Sequence, residues 1–484
     1  MAVPARAPPR GLLARLRGAP ARAAAPKRDA TPAPVARAAY NSGLLHVLTR
    51  LMSSPTLYEF FAPCPRGLEA ALAAELAEIA GRHLNGAPFT AGAQVPGGVH
   101  FSGGWAAGMA ANLHSRIASR VLLKIAHRAY RNEQDVYALA LEQPWERWFA
   151  ATQTLRVDIT AIKSPLKSLE FATLRVKDAI CDRMRDKTGA RPSIDTGAPD
   201  VRVFAFLTAG ECTLYLDTSG EPLFKRGWRL DKGAAPLREN LAAGILRLTG
   251  WTPGTALYDP MCGSGTFLAE AAQIALGVAP GVERRFGFEK LKQYDITAWQ
   301  GLKVPALDAK RAARGKRGEA LGVYGSDISG DMLEKARANL ERAGVPSVWL
   351  KQVDARGMTP PCDGPGIILA NPPYGERIEV RGRSARGEVR ETGRNRGNDD
   401  AFRRTHTDAP DSEFFNALGD ALKQRFTGWQ AFLLTSDRSL PGQLRLRESA
   451  KTPLFNGALE CRLFRFDLIA GSVKARPATP EGDA

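Results

Sequence analysis

The sequence predicts an α/β protein in which two small α+β units precede a doubly wound parallel sheet. From about residue 236 to 468, strand and helix patterns alternate, as they do in a parallel sheet covered by helices. The blocks 57–126 and 154–217 instead combine a few strands with amphipathic helices. No run of about 18 apolar residues occurs, so no transmembrane helix is predicted.

The first block begins with LYEFFAPC (57–64), a predicted strand, followed by RGLEAALAAELAEIA (66–80), whose apolar period predicts a helix. GGVHFSG (97–103) is a predicted strand, and NLHSRIASRVLLKIA (112–126) is predicted to be a second amphipathic helix. This order predicts a small α+β domain.

The second block contains a strand at LRVDITAI, a helix over 171–188 that ends at Gly189, and a hairpin that turns near Gly210 and Glu211. Basic residues crowd the helix. Such a run is commonly a solvated face, with RNA binding as the alternative.

The third block carries the parallel sheet and closes with an antiparallel strand pair. Its predicted strands are ALYDP, LGVYGSDIS, SVWLKQVDA, GIILA, WQAFLLTSD and LECRLFRFDLI. Residues 376–408 interrupt this rhythm with a nearly charge-balanced, apolar-poor stretch, which predicts a flexible insertion that is either a lid or an inert loop.

The net charge of +17 arises from 67 basic and 50 acidic residues and indicates a polyanionic partner, nucleic acid before an anionic membrane. About half of this charge lies in residues 1–50, whose only acid is Asp29. The Ala/Pro/Arg-rich stretch 1–55 is predicted to be disordered. A mitochondrial transit peptide and a translation start at Met52 are the alternatives.

Six cysteines and six histidines are scattered along the chain without a C-x-x-C pair. This spacing argues against a disulfide framework and a structural zinc site, and it is typical of reduced cytoplasmic thiols. We therefore expect a cytoplasmic protein without a metal.

A glycine-rich loop, Asp259-Pro-Met-Cys-Gly-Ser-Gly-Thr266, follows one strand and opens a helix. Gly263 and Gly265 allow a tight turn and the close approach of a ligand. The Gly-Lys-Ser/Thr of a phosphate-binding loop is missing. Asp259 at the strand end would attract a cationic ligand end, which favours S-adenosylmethionine (SAM).

An acid also ends the next strand, in YGSDIS. Asp327 stands where a carboxylate can accept both ribose hydroxyls, although Asp before Ser-Gly is also a common helix cap. Its place one strand–helix–strand step after the glycine loop favours the cofactor role. The same reasoning puts Asp354 beside the adenine amino group.

The segment Asn371-Pro-Pro-Tyr374 follows the apolar strand GIILA. Two prolines fix the backbone, so that the Asn371 side chain and the Pro372 carbonyl offer two acceptors to a planar NH₂ group. Tyr374 can stack on the base. The pattern predicts methylation of an exocyclic amine without distinguishing guanine N2, adenine N6 and cytosine N4. A rigid Asn-Pro turn is the structural alternative.

The motifs DPMCGSGT, SDIS and NPPYGER resemble the N-methylating branch of class I SAM-dependent methyltransferases. Upstream, RGLEAALAAEL, GGVHFSG, FATLRVKDAICD, RPSID and LDTSGEPLFKRGWR resemble the ferredoxin-like and THUMP segments of bacterial large-subunit ribosomal RNA guanine-N2 methyltransferases. The resemblance runs from about Leu57 to Leu468, apart from 376–408. It implies a Rossmann-like class I methyltransferase domain preceded by α+β ferredoxin-like and THUMP domains.

The resemblance further implies SAM as cofactor and N2 methylation of a guanine in 23S rRNA, either free or in a pre-50S particle. N2 methylation of tRNA guanine and N6 methylation of adenine are the alternatives. Some family members carry a second, fused methyltransferase, which we expect to be missing here. The expected catalytic residues are Asn371, Pro372, Pro373 and Tyr374. The expected cofactor residues are Asp259, Pro260, Cys262, Gly263, Ser264, Gly265, Thr266, Asp327, Ile328 and Asp354.

Phosphate contacts are expected from basic residues of the THUMP helix and of the start of the methyltransferase domain. These are Arg175, Lys177, Arg183, Lys187, Lys225, Arg226 and Arg229. The expected domains are ferredoxin-like (56–110), THUMP (103–219) and methyltransferase (225–470), with a disordered tail over 471–484. No membrane partner is expected, and the sequence leaves the oligomeric state open.

Overall fold

Two seven-stranded sheets organise the protein. The structure, a computed structural model, describes residues 56–230, 237–315, 321–345, 348–372 and 409–469. The extension 1–55, the insertion 376–408 and the tail 471–484, all predicted to be flexible or disordered, lie outside the described residues.

The first sheet has the order β2-β3-β1-β4-β7-β6-β5. Its strands are β1 (Tyr58–Pro63), β2 (Phe89–Val95), β3 (Gly98–Gly103), β4 (Leu122–Ala129), β5 (Leu155–Ala161), β6 (Val201–Leu207) and β7 (Glu211–Asp217). Strand β1 pairs antiparallel with both β3 and β4, through Phe60↔Leu123 and Phe61↔Leu122 on the β4 side. The two blocks predicted as separate α+β units therefore share one continuous sheet.

Among the described residues, four helices accompany this sheet: α1 (Glu69–His83), α2 (Trp105–His114), α3 (Glu133–Glu142) and α4 (Leu169–Thr188). Ser168 is the N-cap of α4, and its hydroxyl accepts a hydrogen bond from the Phe171 amide. Gly189, with φ of 75°, is the C-cap. That glycine end and the β6–β7 hairpin confirm the sequence predictions.

The helix predicted over 112–126 is wrong, because α2 ends at His114 and β4 begins at Leu122. Residues Leu122 to Ala129 pair with β7, and the first two also pair with β1. A central position between two partner strands outweighs the local helical period.

The second sheet has the order β10-β9-β8-β11-β12-β14-β13. Its strands are β8 (Ala256–Asp259), β9 (Val323–Asp327), β10 (Trp349–Gln352), β11 (Gly366–Ala370), β12 (Gln430–Thr435), β13 (Ala450–Asn456) and β14 (Leu459–Asp467). The first five are parallel, and β14 pairs antiparallel with β12 and β13. The predicted doubly wound sheet with an antiparallel end is confirmed.

The described part of this half contains six helices: α5 (Glu239–Leu248), α6 (Thr266–Ala275), α7 (Ile296–Gly315), α8 (Gly330–Arg342), α9 (Ala409–Arg425) and α10 (Leu440–Gln443). Helix α6 follows the glycine-rich loop and is buried at eight of its ten positions. The sequence patterns did not indicate α7, which contains Pro305.

A buried ionic cluster joins the two halves. Glu270 on α6 has no solvent exposure and accepts hydrogen bonds from Arg116, at 2.9 Å, and Arg226, at 3.1 Å. Arg116 follows α2, and its amide donates to the carboxylate of Glu75 on α1 at 2.9 Å. The helix that begins at the glycine loop is thus tied directly to the first sheet's helices.

Candidate active site

The candidate residues converge because the strands that carry them are parallel. Register pairs place Tyr258 beside both Ile368 and Tyr324, and Gln352 beside Asp327. The ends of β8, β9, β10 and β11 consequently lie along one edge of the sheet, where open α/β sheets bind ligands.

The glycine loop makes the predicted tight turn, with φ of 52° at Gly263 and 80° at Gly265, both in the left-handed region. A Cβ at Gly265 would also lie 3.3 Å from the Cβ of Ala336 on α8. The Ser264 carbonyl accepts from the Asn339 side chain at 3.0 Å. The loop is therefore packed against α8, and its two glycines, which lack side chains, allow the backbone to bend tightly.

Asp327 holds the loop from the neighbouring strand. Its Oδ2 accepts from the Gly263 amide and its Oδ1 from the Ser329 amide, both at 2.9 Å. Ser329 is the N-cap of α8, since its hydroxyl accepts from the Met332 amide. The helix cap considered for Asp327 is therefore supplied by another residue, and the second lone pairs of both its oxygens stay available.

Asp259 is a buried carboxyl group, 2% exposed, that accepts one backbone bond from Met261 at 3.1 Å. Within the residues described, no basic side chain pairs with it. Burial, reinforced by the nearby Asp327 carboxylate, raises the pKa of Asp259 well above its ordinary value. A cationic ligand group would supply the missing partner, which fits the ammonium of SAM.

Asp354 differs from this arrangement because its carboxylate already has a cation. Arg356 donates to both oxygens, at 2.6 and 3.1 Å, and lowers the pKa of Asp354. An adenine amino group would have to share these oxygens with Arg356. Ile328 is 57% exposed beside this edge, so it offers apolar surface to a flat ring.

Asn371 follows the buried strand β11. Its Oδ1 is buried and accepts no hydrogen bond from any described residue, and an unsatisfied buried acceptor typically costs about 1–3 kcal/mol. Pro372 is also buried, whereas Pro373 and Tyr374 lie outside the described residues. An unsatisfied acceptor at the strand edge is ready for an N–H donor from a ligand.

Sequence reasoning missed several residues that hold the loop. The hydroxyls of Tyr258 and Ser326 lie 2.7 Å apart, and the Ser326 carbonyl accepts from the Cys262 amide at 2.9 Å. Ser326 and Asn339 are fully buried polar residues. The signal available in the sequence was a polar residue in an apolar strand or on the inner face of a helix.

The predicted cofactor residues Pro260, Cys262 and Thr266 are buried in the glycine-rich motif.

Five of the predicted RNA-contact residues are at the surface, and each has a neighbour in the chain. Their partners are Gln134 and Tyr137 for Arg175, Asp178 for Lys177, Glu146 for Arg183, Asp186 for Lys187, and Glu221 for Lys225. The pairs of Lys187 and Lys225 are exposed, so they are weak and can be exchanged for phosphate contacts, whereas the side chains of Lys177 and Arg183 are only 24% and 22% exposed.

Arg226 and Arg229 do not fit the expected RNA contact. Their side chains are 2% and 5% exposed, and they pair with Glu270 and Glu239 respectively. Because burial denies a phosphate access to these guanidinium groups, both residues are structural. Over the described ranges, no helix is long and apolar enough to span a membrane, and no group of three potential metal ligands occurs.

Three family models match the chain: the RlmL ferredoxin-like domain at residues 59–122, the THUMP domain at 130–217, and the RMKL-like methyltransferase domain at 226–386. The chain is 37% identical over 435 residues to the ribosomal RNA large subunit methyltransferase K/L of Aeromonas hydrophila, covering 86% of this chain and 55% of that protein. It spans about half the length of this and similar relatives.

A protein of Synechocystis sp., slr0064, is matched over nearly its full length. It is provisionally named an RNA methyltransferase and is 34% identical over 418 residues, covering 86% of this chain and 98% of that protein. Among solved structures, SMU.472 is provisionally described as a methyltransferase and was crystallised with SAH. It superposes with a TM-score of 0.70 at 25% identity, covering 87% of this chain and all of that one.

Proposed function

We infer that this chain, which belongs to the family of THUMP-domain, SAM-dependent RNA methyltransferases, methylates the exocyclic N2 amine of a guanine in 23S ribosomal RNA. The observation that supports methylation of an amine is the unsatisfied Oδ1 of Asn371, which lies at the same sheet edge as the expected cofactor residues. The named function of the Aeromonas relative supports ribosomal RNA as substrate and a cytoplasmic site of action.

The described residues fit the cofactor at three points. Asp327 offers acceptor positions for the ribose hydroxyls, and buried Asp259 lacks a cation. The bend at Gly263 and Gly265 lets the ligand approach the backbone. SAM supplies an electrophilic methyl group when it is bound.

The catalytic task of Asn371 is to orient the target amine. Its Oδ1 accepts one amine hydrogen and the Pro372 carbonyl accepts the other, which directs the nitrogen lone pair toward the methyl group. The amine loses its proton after attack, so no strong base is required. The base must leave its stack to reach this buried atom. Tyr374 is proposed to stack on the base, while Pro373 holds the turn.

Two substitutions at Asn371 test this role. Asn371→Ala should lower the methylation rate about 10²–10³-fold, because one transition-state acceptor is lost, while SAM affinity stays unchanged. Asn371→Asp keeps the shape and an acceptor, so it should retain more activity. Single-turnover methylation and calorimetry of SAM binding separate the two effects. A wild-type rate for the alanine variant would contradict the mechanism.

The identity of the base is decided by mapping methylated nucleosides by mass spectrometry in a strain that lacks the protein. Loss of one N2-methylguanine from 23S rRNA is the expected result. Loss from tRNA, or loss of N6-methyladenine, would instead establish one of the alternative substrates with the same chemistry.

A further inference from the structure

The β13–β14 hairpin extends past the catalytic edge of the second sheet. Ala370 is paired with Leu433, so the position of Pro372 is level with Thr435, the last residue of β12. Thr435 in turn pairs with Arg462. Strand β14 begins three residues further out, at Leu459, so the hairpin projects about 10 Å beyond the edge.

The first sheet's loop before α1 rests on this projecting hairpin. Gly67, with φ of 91°, lies so close to β13 that a Cβ there would overlap the Pro453 carbonyl oxygen. Glu69 fixes the loop by accepting from the amides of Gly67, at 2.8 Å, and Gly97, at 2.7 Å. The contact is therefore a fixed joint between the two sheets, near the edge of the second sheet at which Asn371 lies.

Arg66 places its guanidinium over the Phe455 ring at this joint, 4.7 Å from the ring centroid. Arg66 is exposed, and within the described part of the chain no acidic side chain forms an ion pair with it. A guanidinium that stacks on a ring keeps its in-plane N–H donors free, and these match the oxygens of a phosphate. Stacking also fixes the group in advance, which reduces the entropy lost on binding.

A cluster of ion pairs lies on the hairpin beside Phe455. Glu460 accepts from both Arg438, at 3.1 Å, and Arg462, at 3.2 Å, so one carboxylate is shared between two guanidinium groups. Phe455 pairs directly with Glu460 across the hairpin. On the hairpin one carboxylate therefore serves two guanidinium groups, while Glu69 is the acid of the loop that carries Arg66.

We propose that Arg66, stacked on Phe455, binds the phosphate backbone of the RNA within a few nucleotides of the base held at Asn371. Phe455 lies on the third strand from β11, about 15–20 Å from Asn371 in an untwisted sheet. The ferredoxin-like unit then contacts substrate directly and fixes which nucleotide reaches the site. This rests on the proposed RNA methylation.

Arg66→Ala in the full-length chain tests the proposal, with Arg82→Ala as the matched control. Arg82 is also exposed on the same unit but lies about 20 Å further along α1. Arg66→Ala should raise KM for 23S rRNA about tenfold with kcat and SAM affinity unchanged, and should reduce the salt dependence of RNA binding. Phe455→Leu should show part of this loss, and Arg82→Ala should match wild type.

Equal KM values for wild type and Arg66→Ala would overturn the proposal, as would equal losses in Arg66→Ala and Arg82→Ala. If the wild-type chain methylates no RNA, the proposed function fails instead. RNA binding measured by fluorescence anisotropy with a 23S rRNA fragment then still decides whether Arg66 contacts RNA. Unchanged thermal unfolding of the variants shows that the fold is kept.

Discussion

Glu270→Gln should destabilise the protein far more than the loss of one surface carboxylate. The two hydrogen bonds to Arg116 and Arg226, at 2.9 and 3.1 Å, each contribute roughly 1.5–3 kcal/mol when charged and buried. Gln keeps one acceptor oxygen but puts an NH₂ donor in place of the other and removes the negative charge between two guanidinium groups with little exposure; breaking a buried ion pair in this way typically costs about 3–5 kcal/mol. We expect a loss of that size.

Glu221→Gln is the matched control, since Glu221 pairs with Lys225 at 2.6 Å but both side chains are about 60% exposed. An exposed i,i+4 pair contributes about 0.3–0.5 kcal/mol. Urea unfolding, followed by tryptophan fluorescence, measures both variants. If Glu270→Gln and Glu221→Gln lose equal stability, the buried cluster does not hold the two halves together as argued.

Two further predictions concern the cofactor edge. Gly265→Ala should weaken SAM binding and cost about 1–3 kcal/mol of stability, because φ is 80° and the new Cβ would press on Ala336. Gly277→Ala has similar backbone strain, with φ of 67°, but nothing within 4 Å, so it should leave SAM affinity unchanged. Equal SAM affinities for these two variants would contradict the close approach at Gly265. The pKa of Asp259 is raised by burial, so this carboxyl group is neutral below that pKa and ionised above it. Calorimetry should therefore show SAM affinity falling as the pH falls through the pKa of Asp259. Asp259→Asn should remove this pH dependence of SAM affinity. If that variant kept the pH profile of the wild type, Asp259 would not be the partner of the SAM ammonium.

The second sheet could be predicted because three of its parallel strands end in, or are followed by, a residue with recognisable chemistry. Asp259, Asp327 and Asn371 follow apolar runs, and parallel strands bring such ends to one edge. The left-handed glycines of the loop were likewise predictable from the Gly-Ser-Gly pattern.

Long-range contacts explain what the sequence could not reveal. Leu122 and Leu123 have a helical period, and their pairing with β1 on one side and β7 on the other makes them a strand. Arg226 looked like a surface cation because the carboxylate that buries it, Glu270, is 44 residues away. Charge counts along the chain do not show which basic side chains are enclosed.

The shared first sheet has a consequence for dissecting this protein. Two family models divide it at residues 122 and 130, which is where β4 runs between β1 and β7. A cut there would expose the backbone donors and acceptors of β1 or β7 as a new edge, and unprotected edges promote aggregation. The ferredoxin-like and THUMP regions are therefore best expressed together as one unit, although their sequences indicate a boundary between them.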